Sequence, residues 1–202
     1  MPSTGARNSE QTLIGPGWLY FDVPLPAHDA ALTLTIDATT GVPAPDSGLL
    51  VGYTTDGNKF TSGFDLVTIE ADESKAPLFV DPGVETITME GNLMQVTDSA
   101  VVDKMLPNAK YNATLGLWQF GGAITFPLNK QPSVLLVGLQ RAPNNGKYVY
   151  AMLYKSMNVE AFVFNVTRKA SSTSPYKFQA LPIGSRPPGD QLAQMVIQPA
   201  TP

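Results

Sequence analysis

Short runs in which apolar and polar residues alternate, separated by glycine and proline, recur from one end of this chain to the other. In Leu32-Thr33-Leu34-Thr35-Ile36-Asp37 the even positions are apolar and the odd ones polar, and Thr86-Ile87-Thr88-Met89-Glu90 repeats the pattern. Phe162-Val163-Phe164-Asn165-Val166-Thr167 does the same, with Phe162, Phe164 and Val166 on the inward side. A period of two turns alternate side chains to opposite faces of a strand, one toward a core and one toward water. The 17 glycines and 18 prolines cut the chain at spacings typical of sandwiches and barrels. The fold class expected is all-β, an antiparallel sandwich or barrel with one or two short helices. No fixed-period repeat points to a solenoid or propeller.

Two hairpin turns are written in. Leu49 to Tyr53 is expected to meet Phe60 onward across Asp56-Gly57, and Val134 to Val137 to meet Tyr148 to Tyr150 across Asn145-Gly146. Asp-Gly and Asn-Gly supply the positive φ angles that type I′ turns require. Tyr148 to Tyr154 is apolar on both faces, which places it between two layers of one subunit or between the core and a second subunit. A first helix is expected from Asp98 to Leu106, capped by Thr97 or Asp98 and ended by Pro107. A second is expected over Gln191 to Gln198, stopped by Pro199.

At 202 residues the chain has the length of one large β domain. Residues 1–12 read as a flexible lead-in and 185–202 as an irregular or short-helical tail. With 43% hydrophobic residues there is enough apolar material for a sizeable core, which argues against wholesale disorder. Charged residues make up only 15%, so the outer surface must be largely Thr, Ser, Asn, Gln, Gly and Pro. Extracellular adhesins, carbohydrate binders and viral capsid proteins share such surfaces. A net charge of −4, with only Arg7 as a base in the first ten residues and none after Arg186, disfavours direct contact with nucleic acid. No apolar run reaches membrane-span length, and Met1 to Gln11 is too polar for a signal peptide.

Residues able to do chemistry are few. There is no cysteine, which removes disulfides and thiolate sites, and His28 is the single histidine. A His-based zinc site needs two or more such ligands, and no Gly-x-Ser-x-Gly elbow accompanies His28-Asp29. His28 follows Pro24 and Pro26, which mark an irregular connection, and reads as a loop residue. Glu70-Ala71-Asp72-Glu73, with Asp65, Asp81 and Glu85, lacks the calcium-loop pattern and reads as a solvated surface. Gly52, Gly57 and Gly63 lack the Lys-Ser/Thr of a phosphate loop. Trp18, Trp118, Tyr20 and Phe21 suit sugar stacking, although aromatics with apolar neighbours are more often core. Asn112-Ala113-Thr114 and Asn165-Val166-Thr167 fit the glycosylation triplet. No catalytic, cofactor or metal residue is assigned, and the chain is read as a non-enzyme.

Phe162 to Arg168, followed after a loop by Tyr176-Lys177-Phe178-Gln179-Ala180-Leu181-Pro182-Ile183-Gly184, resembles the closing strands of calicivirus capsid proteins. There a Phe/Val strand leads into an aromatic, Gln, Leu, Pro, Val, Gly segment that ends the projecting domain. This chain departs from that pattern by a longer loop over Ala170 to Pro175 and by the lack of a basic tail. More broadly, the chain resembles coat or projecting domains of small non-enveloped RNA viruses. The resemblance implies a β domain at the virion surface that dimerises, presents loops to a host receptor or glycan, and has no catalytic residues. Two alternatives stand beside it: a carbohydrate-binding or adhesin module of a phage or cell, and a β-fold hydrolase using carboxylates alone. Loops on a rigid β scaffold carry recognition. The candidate ligand-binding residues are therefore Thr55 and Asn58 at the first hairpin tip and Asn144 and Lys147 at the second, with the Glu70 to Lys75 loop beside them. Self-association as a homodimer is expected, through Tyr148 to Tyr154 if that strand faces a partner.

Overall fold

The computed structural model describes residues 17–37, 39, 42–52, 54–69, 79–94, 97–121, 130–139, 148–164 and 172–198. It is mostly β, with antiparallel sheets that include a curled half-barrel. In chain order the elements are β1 (Gly17–Phe21), β2 (Leu34–Ile36), β3 (Pro43–Pro45), β4 (Leu49–Leu50), β5 (Thr54–Ile69), β6 (Phe79–Leu93) and helix α1 (Ser99–Met105). They continue with β7 (Ala109–Asn112), β8 (Leu117–Phe120), β9 (Val134–Leu139), β10 (Tyr148–Leu153), β11 (Ser156–Asn158), β12 (Ser174–Ala180) and β13 (Ala193–Gln198). A five-stranded sheet runs β13-β10-β9-β1-β4 and a four-stranded sheet runs β11-β12-β6-β5, while β2-β3 and β7-β8 form two small ribbons.

The five-stranded sheet is apolar on both faces, and strand alternation sorts its side chains into two cores. Leu19, Phe21, Val134, Ala151 and Leu153 point to one side, where they meet Ile87, Met89 and Leu93 of β6 and Tyr176 and Phe178 of β12. Phe21 and Phe178 meet edge to face with ring centroids 5.1 Å apart. On the opposite face Tyr20, Leu135, Val137, Tyr148, Tyr150, Met152 and Tyr154 form a second core with Val23 and Leu34. Both faces of Tyr148 to Tyr154 are thus covered by this chain, the first of the two placements expected for it.

Tyrosine dominates the second core for a polar reason. Its cover is largely irregular chain, whose backbone groups still need hydrogen-bond partners when buried. Tyr20 donates to the Pro43 carbonyl at 3.1 Å, and the Leu32 N–H donates to the Tyr150 hydroxyl at 2.5 Å. Burial raises the pKa of the Tyr20, Tyr148 and Tyr150 hydroxyls.

Helix α1 forms as expected. Asp98 caps it by accepting the Ala100 N–H at 2.9 Å, while Val101, Val102 and Met105 are buried. Four other expectations need correction. Asp56-Gly57 is no hairpin turn: β4 pairs with β1, and the chain runs through Gly57 (φ 78°) within β5, where the ladder to β6 shifts register between Thr55 and Asn58. A positive φ serves a bulge as well as a turn, and β6 offers β5 a far longer partner than β4 does. Residues 193–198 are strand rather than helix, because the edge of β10 is open and takes Ala193 to Gln198 in unbroken register. Of the strand expected over Phe162 to Thr167, Phe162 to Phe164 is irregular, because β11 and β6 already occupy both edges of β12, and Asn165 to Thr167 lie outside the described residues. Phe162 still packs on the core, but Phe164 is 63% exposed. In β2, Leu34 is buried as expected whereas Ile36 is 39% exposed.

A polar latch ties residues 24–30 to the turn before β13. The Asp190 carboxylate accepts from the Tyr154 hydroxyl at 2.5 Å and from Arg186 at 2.8 Å, and lies 2.7 Å from His28 Nδ1. Arg186 also donates to the Pro26 carbonyl and lies 4.2 Å from the Tyr154 ring centre. The Tyr154 hydrogen bond first, then His28 and the Arg186 charge, holds the Asp190 carboxyl down to about 2. A depressed carboxylate pKa contributes stability that is complete above the free-aspartate pKa of about 4 and is lost below it. Asp190→Asn is therefore expected to flatten the fall in stability between about pH 4 and pH 2 in urea melts. An acid limb identical to the parent's would remove Asp190 from that role.

Candidate functional site: an apolar cleft at the root of a β arm

The longest paired element is the β5–β6 ribbon, and its two ends have different surroundings. From Thr88 to Leu93, β6 also pairs with β12, and its Met89 and Leu93 are fully buried. Past Ile87 the ribbon runs on to Ile69↔Phe79 with no third strand among the described residues. This outer length is an arm. Phe64, Leu66, Val67 and Val84 on it are 60%, 62%, 52% and 69% exposed. Its ladder shifts again between Phe64 and Leu66, where Gly83 lets β6 approach closely: a Cβ there would sit 3.1 Å from the Asp65 carbonyl.

At the root of the arm a cleft of about 340 Å³ opens between the two sheets. Its walls come from Phe60 of β5, Leu136 of β9, Val149 and Ala151 of β10, and Met195 of β13. Gly17 and Gly138, which face each other across the β1–β9 ladder, leave the space that side chains would fill. Clefts of this volume, apolar with few polar groups, are the usual form of small ligand and anchor-residue sites.

The polar group in the lining is Asn58. The buried Tyr176 hydroxyl donates to its Oδ1, and its Nδ2 donates to Thr54 Oγ1 at 3.3 Å. Burial raises the Tyr176 pKa, so this hydroxyl remains a donor throughout the physiological range. The contact needs Gly91, since a Cβ there would lie 2.7 Å from both Asn58 Oδ1 and the Tyr176 hydroxyl. Asn58 is thus fixed between the sheets rather than free at a tip.

Of the residues expected to bind a ligand, Thr55 and Asn58 lie in β5 at this root, both half-buried, with Thr55 opposite Asn92. Asn144 and Lys147 lie outside the described residues, as do Glu70 to Lys75 and the Asn145-Gly146 turn. His28 belongs to the latch, with Asp29 at 3.1 Å on its other nitrogen. Trp18 is half-buried and Tyr20 and Phe21 are core, whereas Trp118 stacks on Tyr111 at 4.4 Å on the β7–β8 ribbon. Asn112 uses its side-chain oxygen to accept the Thr114 and Leu115 N–H groups in the turn of that ribbon. Among the described residues, no group of three or more His, Asp or Glu side chains is placed to hold a metal ion. Sequence reading missed the cleft because its walls come from five strands distant in the chain. It missed the arm because exposure of Phe64 and Leu66 depends on where β12 ends.

The sequence matches no protein-family model and no curated protein.

Gly91→Ala is expected to destabilise the chain by about 1–3 kcal/mol through overpacking at Asn58 and Tyr176. Gly63→Ala meets nothing within 4 Å and should stay within about 0.5 kcal/mol of the parent. Equal midpoints for the two variants in denaturant melts would refute the close approach.

Proposed function

We infer that this chain works by binding and assembly at an exposed surface. In its specific form the reading is a coat or projecting domain of a small non-enveloped RNA virus, displayed on the virion with a structural and host-attachment role. The observation that carries it is the arm, which holds four large apolar side chains more than half exposed on a ribbon clear of the sandwich. Exposed apolar surface of that kind marks interaction sites. The segment resembling calicivirus capsid proteins gives divided support. Tyr176 to Ala180 forms the core-facing strand β12, whereas Phe162 to Phe164 forms none. Electron microscopy of the parent protein tests the reading: regular icosahedral particles are expected, and a protein that stays dispersed under every assembly condition overturns it.

A second reading, a carbohydrate-binding module, is favoured by the β7–β8 ribbon. Tyr111 and Trp118 stack there, and Phe120 on the same ribbon face is 63% exposed. An aromatic platform of this kind suits the apolar faces of sugar rings. Glycan-array binding abolished by Phe120→Ala would favour this module, and an array without signal would remove it.

A further inference from the structure

The arm and the cleft are complementary, and among the described residues nothing covers either of them. Side chains alternate along β5, so Phe60, Phe64 and Leu66 share one side of the strand. At Phe60 that side faces the cleft and packs against the sandwich core. At Phe64 and Leu66 the same side has run past its own cover. An isolated two-stranded ribbon is marginal in water, so an apolar arm of this length calls for a partner surface.

We propose that two copies of the chain pair their β5–β6 arms antiparallel about a two-fold axis, each inserting Phe64 and Leu66 into the cleft at the root of the other's arm. This deepens the assembly reading above by naming its first contact. A two-fold interface must be self-complementary, residue i meeting j while j meets i. Root and tip on one strand face meet that condition, because four to six residues, roughly 13–20 Å of strand, separate Phe60 from Phe64 and Leu66. In an antiparallel pair each tip falls on the opposite root.

Area and charge favour this occupant. Phe64 and Leu66 present on the order of 200 Å² on the side that faces the cleft, while Val67 and Val84 lie on the other face of the ribbon. Two-fold pairing fills both clefts and buries both arm edges, twice the area of a single head-to-tail insertion, which favours the closed dimer. At the root, Lys59 and Lys177 lie 2.9 and 3.6 Å from the one carboxylate of Glu90, leaving a net positive charge. The outer arm carries Asp65 and Glu85 and, among its described residues, no base. Antiparallel pairing sets each acidic tip nearer a basic root.

Sedimentation equilibrium of the whole chain at micromolar concentration tests this. A dimer is expected, and Phe64→Asp with Leu66→Asp should turn it to a monomer that keeps the parent's β circular dichroism spectrum and a cooperative melt, since both residues are exposed in the single chain. Met195→Asp at the cleft rim should weaken the dimer at least tenfold from the other side. Mixing the arm variant with the rim variant restores one intact contact, so a weak heterodimer should form where neither variant pairs with itself. A parent that is monomeric, or a dimer indifferent to both sets of substitutions, overturns the proposal. Either result leaves the virion reading to the particle experiment, which does not depend on it.

Discussion

A sheet that is apolar on both faces must be covered twice, and the rest of this fold follows from that requirement. In β10, Ala151 and Leu153 look toward one core while Tyr148, Tyr150 and Met152 look toward the other. The first cover is a regular sheet, so that face is built from Leu, Val, Ala and Phe. The second is mostly irregular chain around Val23 to Ile36 with the short β2–β3 ribbon. Buried irregular backbone needs hydrogen-bond partners, and the tyrosine hydroxyls provide them while their rings supply the apolar area. Tyr20, Tyr148 and Tyr150 bond the backbone that lies over them, while Tyr154 on the same face bonds the Asp190 carboxylate.

That division also explains what could be read in advance. The β class, helix α1 with its Asp98 cap, and the two-sided burial of Tyr148 to Tyr154 follow from local pattern, because alternation and capping act within a few residues. Three errors share one cause, which is competition for strand edges. Asp56-Gly57 has the chemistry of a tight turn, but the choice between turn and bulge rests with β6, some thirty residues further on. Ala193 to Gln198 is short enough for either state, and the open edge of β10 decides it. Phe162 to Phe164 has strand-like alternation and finds no vacant edge on β12.

The candidate site was even less legible. Asn58 stood out as a polar residue beside a turn signal, whereas its position depends on Tyr176, Gly91 and Gly17, which come from three other strands. The glycines that shape the cleft look like ordinary punctuation in the sequence. Their meaning appears only where Gly17 and Gly138 lie opposite each other across the β1–β9 ladder, and where a Cβ at Gly91 would strike Asn58.

The arm has the same geometric origin as the core. β5 and β6 run to 16 and 15 residues, but β12 has only 7 and reaches no further along β6 than Thr88. Up to that point the inward side chains of β6 are fully covered; beyond it, among the described residues, the ribbon has two strands and no third layer. Apolar residues nevertheless continue at Phe64, Leu66, Val67 and Val84. Exposed charge would blunt such an edge against unwanted pairing, and Asp65 and Glu85 are placed along it. Acidic residues interleaved with a continuing apolar stripe keep the arm soluble alone without removing its affinity for a matching apolar surface. The cleft beside Phe60 is such a surface, left open by glycines on the strands that face it.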